Sequence, residues 1–84
     1  MKNKVLVELI IPEIDASYDI YIPVSKKVGS VIKLLNKAIF EISDGAYNCG
    51  DKNFIYNRDT GSRYDINQII KNTDIRNGSK IILI

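Results

Sequence analysis

The residues with the most chemical promise are Asp59-Thr60-Gly61, Cys49, and the acid pairs Glu13 with Asp15 and Asp44 with Asp51. Asp-Thr-Gly is the tripeptide that aspartic proteases use. Their chemistry needs two aspartates sharing a proton, each in an apolar strand–loop setting, on a larger β-fold. Here the tripeptide follows Asn57-Arg58, and Gly61 can take positive φ without strain, so the segment reads as a hairpin turn. Cys49 has no histidine to activate it, because the chain contains none, and Lys52 is the only cation close by in sequence. It reads as a structural or loop thiol. Neither acid pair has the alternating ligand spacing of a calcium loop, and there is no glycine-rich phosphate loop. The expectation is a protein with no catalytic, cofactor-binding or metal-binding residues, and not an enzyme.

Composition narrows the partners. The 84 residues carry a net charge of +2, and each half of the chain has a single excess positive charge, which is no electrostatic footprint for nucleic acid. A lone cysteine excludes an intramolecular disulfide and fits a reducing compartment. The apolar run after Lys4 is broken by Glu8 and closed by Pro12, too short for a signal sequence or a membrane span. A cytoplasmic location without direct membrane insertion is expected, which leaves the glycosylation signal Asn77-Gly78-Ser79 idle.

The elements that must position any surface follow from periodicity. Lys4 to Ile11 reads as a strand with Val5, Val7 and Leu9 on one face and Leu6, Glu8 and Ile10 on the other. Pro12 to Ser17 connects it to a second strand, Tyr18 to Ile22, with Tyr18, Ile20 and Ile22 inward. The period then changes: Val28, Val31, Ile32, Leu35, Ile39 and Ile42 recur at helical spacing. The helix is placed at about residues 26–43, with Ser25 as N-cap and Gly45 as stop. After a loop over Gly45 to Lys52 come a strand over Asn53–Asn57, the turn Arg58–Gly61, and a short return over Arg63–Asp65. Irregular helical turns over Ile66–Asn72 precede the Asn77-Gly78 turn and a final strand from Ser79 to Ile84. The order ββαβ(β)β, with one helix covering one face of a mixed sheet of four to five strands, is an α+β β-grasp arrangement in a single domain over residues 1–84. Val7, Ile20, Val31, Leu35, Phe54, Ile70, Ile81 and Leu83 are the expected core.

Three stretches carry a family resemblance: Tyr18-Asp19-Ile20-Tyr21-Ile22-Pro23, the aliphatic helix from Val28 to Ile42, and Asp74-Ile75-Arg76-Asn77-Gly78-Ser79-Lys80-Ile81. Across essentially its whole length the chain resembles the YukD/EsaB family, small ubiquitin-like proteins of the type VII (WXG100) secretion systems of Gram-positive bacteria. Ser79 departs from the pattern, standing where that family often has Asp. The spacing of Tyr64, Ile70, Ile75, Ile81 and Leu83 is similar to that of core aliphatics in ubiquitin. The resemblance implies a non-conjugating interaction module whose partner is a protein, a component of the secretion apparatus. The alternative from another class is a sulfur carrier or protein modifier. That role needs a C-terminal Gly-Gly, where this sequence reads Leu83-Ile84.

Two surfaces are then left to do the work. One is the lysine face of the helix, with Lys26, Lys33 and Lys37. The other is the sheet face away from the helix, where strand parity places Leu6, Ile10, Ile55, Ile82 and Ile84 as the expected protein-binding patch. Without a partner the same patch is expected to drive self-association into a homodimer. The absence of Gly-Gly makes one outcome testable at once. Incubated with ATP and cell extract, the protein should keep its intact mass, and an adenylate, thiocarboxylate or isopeptide adduct would establish the carrier alternative.

Overall fold

The computed structural model describes residues 3–47 and 53–84. Cys49, Asp51 and Lys52 lie outside the described residues. Four strands and one helix account for the order: β1 (Lys4–Ile11), β2 (Ala16–Pro23), α1 (Val28–Ile42), β3 (Ile55–Asn57) and β4 (Lys80–Leu83). The sheet order is β2-β1-β4-β3. β1 and β2 form an antiparallel hairpin from Lys4↔Pro23 to Ile11↔Ala16. Its connection is a short 3-10 turn over Pro12–Ile14, closed by Asp15 in the left-handed region at φ 51°. β4 pairs parallel with β1 and antiparallel with β3. This is the β-grasp arrangement the element order implied.

The helix begins two residues later than its periodicity suggests, and Ser25 does not cap it. The N-cap is Lys27, with no side-chain hydrogen bond. The first-turn amides are met from far along the chain: Val28 N–H donates to the Gln68 carbonyl at 2.8 Å and Gly29 N–H to the Ile66 carbonyl at 2.9 Å. A loop carbonyl thus does what a cap side chain does elsewhere. At the other end Gly45, at φ 84°, donates to the Phe40 carbonyl at 2.8 Å and closes the helix as expected.

The second half of the sheet is leaner than expected. β3 starts at Ile55, although Phe54 still exchanges backbone hydrogen bonds with Ile84 at 2.7 and 3.1 Å. The expected strand over Arg63–Asp65 is reduced to a single bridge between Tyr56 and Arg63, with Tyr64 N–H donating to the Ile55 carbonyl at 3.0 Å. The Asn77-Gly78 turn docks on β1. Leu6 N–H donates to Asn77 Oδ1 at 2.8 Å, and Gly78 N–H, with φ 88°, donates to the Leu6 carbonyl at 2.8 Å.

The inward face of β1, β3 and β4, with Val7, Leu9, Ile55, Ile81 and Leu83, packs against Val28, Val31, Ile32, Leu35 and Ile39 of α1. Between α1 and the start of β3 lies a partly buried polar pair. The Asn36 and Asn53 side-chain amides bond each other in both directions at 2.8 and 2.6 Å, and Asn53 also donates to the Tyr47 hydroxyl at 2.7 Å. Reciprocal pairing satisfies both amides, of which Asn53 is buried and Asn36 half-buried. Two expected core positions are corrected: Phe54 is half-buried at the sheet margin, and Ile20 packs against the core without being enclosed. Ile42, expected on the apolar stripe of the helix, is exposed at its last turn. Leu35 sits where helix meets sheet, so Leu35→Ala should cost about 2–5 kcal/mol in a urea melt, a large share of the stability of a domain this small.

Candidate functional site

The sheet face away from α1 can be assembled from the strand registers, because residues paired across a sheet share a face. Tyr21 and Leu6 form one row. Asp19, Glu8 and Lys80 form the next, and Ser17, Ile10, Ile82 and Tyr56 the third. Ile84 follows Ile82 in parity and is exposed. Leu6, Ile10 and Ile82 are therefore on the outer face, half-buried, as strand alternation implies.

Ile55 is not. It is fully buried in the core, and Tyr56 occupies the outward position that Ile55 was expected to fill. The cause is the pairing with β4: Ile55 lies opposite Leu83 and Asn57 opposite Ile81, both of which face α1. Phe54, Ile55 and Tyr56 are all apolar, so alternation alone does not choose between the two parities. The compact β-branched side chain goes beneath the helix. The larger aromatic at Phe54 sits at the margin with the Arg63 guanidinium 4.6 Å from its ring centroid, a cation–π contact.

Nor do the expected residues merge into one patch. Lys80 Nζ lies 3.3 Å from Glu8 Oε1, and this ion pair crosses the face between Leu6 and Ile10. Leu6 keeps company with Tyr21, which is 53% exposed. Ile10, Ile82 and Tyr56 form a separate apolar row, with Ile84 beyond it. Tyr56 and Tyr21 are the residues that sequence reasoning missed. A usable signal existed in their type, since tyrosine is enriched where one end of a side chain is apolar and the other wet.

Beside this face the chemistry-bearing residues do structural work. Asn57 Oδ1 accepts from Asp59 N–H at 2.8 Å and from Thr60 N–H at 3.1 Å, so Asp59-Thr60-Gly61 is the tip of a turn. The Tyr64 hydroxyl donates to Asp74 Oδ1 at 2.7 Å, and Asn57 Nδ2 to Asp74 Oδ2 at 3.2 Å. Burial, with the Asp74 hydrogen bond and charge added, pushes the Tyr64 hydroxyl well above the usual tyrosine range. Among the described residues no group of three or more Cys, Asp or Glu side chains is placed to hold a metal ion, and no helix is long and apolar enough to cross a membrane.

No family model matches the sequence, and no curated protein matches it. Solved structures do match. The ubiquitin-like domain of the Mycobacterium tuberculosis type VII secretion system protein ECCD1 aligns with a TM-score of 0.74 at 11% identity, over 96% of this chain and 97% of that one. A chain of the MycP5-free ESX-5 inner membrane complex aligns with a TM-score of 0.71 at 14% identity, over 96% of this chain but 20% of that one. A structure described as "Molecular Mimicry of SUMO promotes DNA repair" aligns with a TM-score of 0.73 at 15% identity, over 98% and 91% of the two chains. What is shared at these identities is the fold, which is ubiquitin-like.

Two outcomes follow from this geometry. Ile55→Asp should abolish cooperative folding, because it buries an unpaired carboxylate. Ile82→Asp should melt close to the parent, since it adds one charge to a face that already carries Glu8 and Lys80; circular dichroism melts of both separate the two parities. Tyr64, protonated in the fold to a higher pH than in the unfolded chain, contributes stability that is complete below about pH 10 and declines as pH rises above it. Urea melts at alkaline pH should show that decline, and Tyr64→Phe should lessen it.

Proposed function

We propose that this chain is a non-conjugating ubiquitin-like protein that acts in the cytoplasm as a protein–protein interaction module, an accessory or regulator of a type VII secretion apparatus. The observation that carries the reading is the outward apolar row Ile10–Ile82–Tyr56, with Ile84 at its end and the Glu8–Lys80 ion pair along one side. A rigid sheet holds these side chains at fixed spacing, so little ordering entropy is lost on contact. Apolar area of this kind stabilises a complex by about 25 cal/mol for each Å² removed from water, enough for a specific complex of modest affinity. The neighbouring ion pair adds register and selectivity more than strength.

The secretion context is supported by the resemblance of the Tyr18–Pro23 and Asp74–Ile81 stretches to the YukD/EsaB family, and by the shared fold with the ECCD1 domain. The partner is a protein surface with an apolar projection, and the module contributes no bond-making step of its own.

The test uses a cell that has a type VII apparatus and lacks this protein. Export of WXG100 proteins should fall and be restored by the parent chain. It should not be restored by the double variant Tyr56→Asp/Ile82→Asp, provided that this variant melts like the parent. Unchanged export on deletion would overturn the secretion role. Full rescue by the double variant would move the surface to the lysine face of α1.

A further inference from the structure

The two edges of the sheet are finished differently. Outside β3, the segment after the turn supplies partners: Tyr64 N–H donates to the Ile55 carbonyl and Asn57 N–H to the Ser62 carbonyl. Outside β2 the described residues supply nothing comparable. In β1, Glu8 N–H donates to the Ser79 carbonyl and the Leu6 carbonyl accepts from Gly78, so the even-numbered residues face β4 and the odd-numbered ones face β2. The β1–β2 register then commits Tyr18, Ile20 and Ile22 to β1, and turns the backbone groups of Ser17, Asp19 and Tyr21 outward. Among the described residues none of these outward groups has a backbone partner. β2 is eight residues long, and an open edge of that length is a template for another strand.

Beside the edge the inner face of β2 is incompletely covered. Tyr18 and Ile20 are half-buried, whereas Val7, Leu9 and Ile81 nearby are at most 1% exposed. Asn36 is tied to Asn53, and an added Cβ on Gly29 would meet the Ile66 carbonyl at 3.2 Å, so the flank of α1 that carries them lies toward β3. Helical geometry puts Leu34, Ala38 and Ile42 on the opposite flank, over β2. Leu34 and Ile42 are 53% and 55% exposed. An open edge beside such apolar side chains suits an extended strand with apolar residues at alternate positions. This chain contains one, β2 itself.

The charges agree. Glu13 and Asp15 lead into β2, and Lys26 and Lys27 follow it. Antiparallel pairing of two β2 strands about a two-fold axis brings the acidic lead of each copy beside the basic exit of the other. We propose that the β2 edge is a self-association surface, on which a second copy of this chain pairs β2 to β2 and completes a continuous eight-stranded sheet. In the register that keeps Asp19 from facing itself, Asp19 lies opposite Tyr21 of the partner subunit, and the turn that carries Glu13 and Asp15 lies past the end of the paired strands, on the side where the partner's Lys26 and the partner's Lys27 leave theirs. Tyr18 and Ile20 of each copy then pack against the Leu34–Ile42 flank of the other. The interface is isologous and closed, so it stops at two copies. It leaves the outer sheet faces of both copies free.

The test is the oligomeric state of the full chain by sedimentation equilibrium over a wide concentration range. A monomer–dimer equilibrium is expected. Leu34→Glu, at an exposed position, should weaken it at least tenfold, about 1.4 kcal/mol, with no loss of melting temperature. Tyr21→Pro, which removes an outward N–H and no bond to β1, should do the same. Glu13→Lys should weaken the dimer, and Glu13→Lys combined with Lys27→Glu should restore it. Ile82→Asp should leave it unchanged. A monomer at every concentration would overturn the proposal and leave the edge to an extended segment of another protein. A dimer abolished by Ile82→Asp and indifferent to Leu34→Glu would overturn it in favour of the outer face.

Discussion

Parallel neighbours cannot be joined by a tight turn, so the pairing of Glu8 with Lys80 obliges the chain between β1 and β4 to travel out and cross back. Nearly everything else depends on that pairing. It places the first and last strands side by side at the centre of the sheet, leaves β2 and β3 as edges, and confines the helix to one face. The Asn77-Gly78 turn holds it in register by exchanging two hydrogen bonds with Leu6, one through the Asn77 side chain and one through the Gly78 amide. With β4 so placed, Ile81 and Leu83 face α1, and Ile82 is committed to the other side.

A single helix cannot cover four strands evenly. α1 sits over β1, β4 and β3, where Val7, Leu9, Ile55, Ile81 and Leu83 are fully enclosed, and leaves Tyr18 and Ile20 of β2 half open. On the β3 side the fit is close enough to bury the Asn53 amide. The Asn36–Asn53 pair survives there because each amide supplies what the other lacks, and the Tyr47 hydroxyl accepts a further donor. Removing one partner from such a group leaves the other buried and unsatisfied, which costs more than the bond itself contributes. The segment after β3 takes over the helix N-terminus, through the Gln68 and Ile66 carbonyls. The asymmetry of the fold is therefore an asymmetry of the helix position, and the half-open inner face of β2 is its consequence.

These placements suit a protein that works by contact. Asp59 sits at the tip of a turn held by Asn57, and Tyr64 and Asp74 are bound to each other. The side chains left facing outward are held by strands, and an apolar row set beside a single ion pair gives a partner both area and orientation. The β2 edge and the outer face are separate surfaces, so a paired molecule would present two copies of the outer row. That is a bivalent arrangement, and it raises the effective concentration of the second contact.

Local signals in the sequence were sufficient for much of this. Alternation determined β1 to the residue, the inward set of β2, and the outward positions of Leu6, Ile10 and Ile82. The helical period of Val28, Val31, Ile32, Leu35 and Ile39 determined the buried stripe of α1, and Gly45, Gly61 and Gly78 marked three places where the backbone takes positive φ. Each of these depends on residues within a few positions of one another. What the tertiary structure alone decided depends on residues far apart. Phe54, Ile55 and Tyr56 are apolar at both parities, so only the partner strand could say which one goes inward. The Glu8–Lys80 ion pair joins residues separated by most of the chain, and it splits a patch that each strand read separately would have left whole. Ser25 had the chemistry of a cap, but carbonyls some forty residues away reached the helix first. Periodicity records which side chains avoid water; it does not record which neighbour will cover them, and that is set only when strands and helix meet.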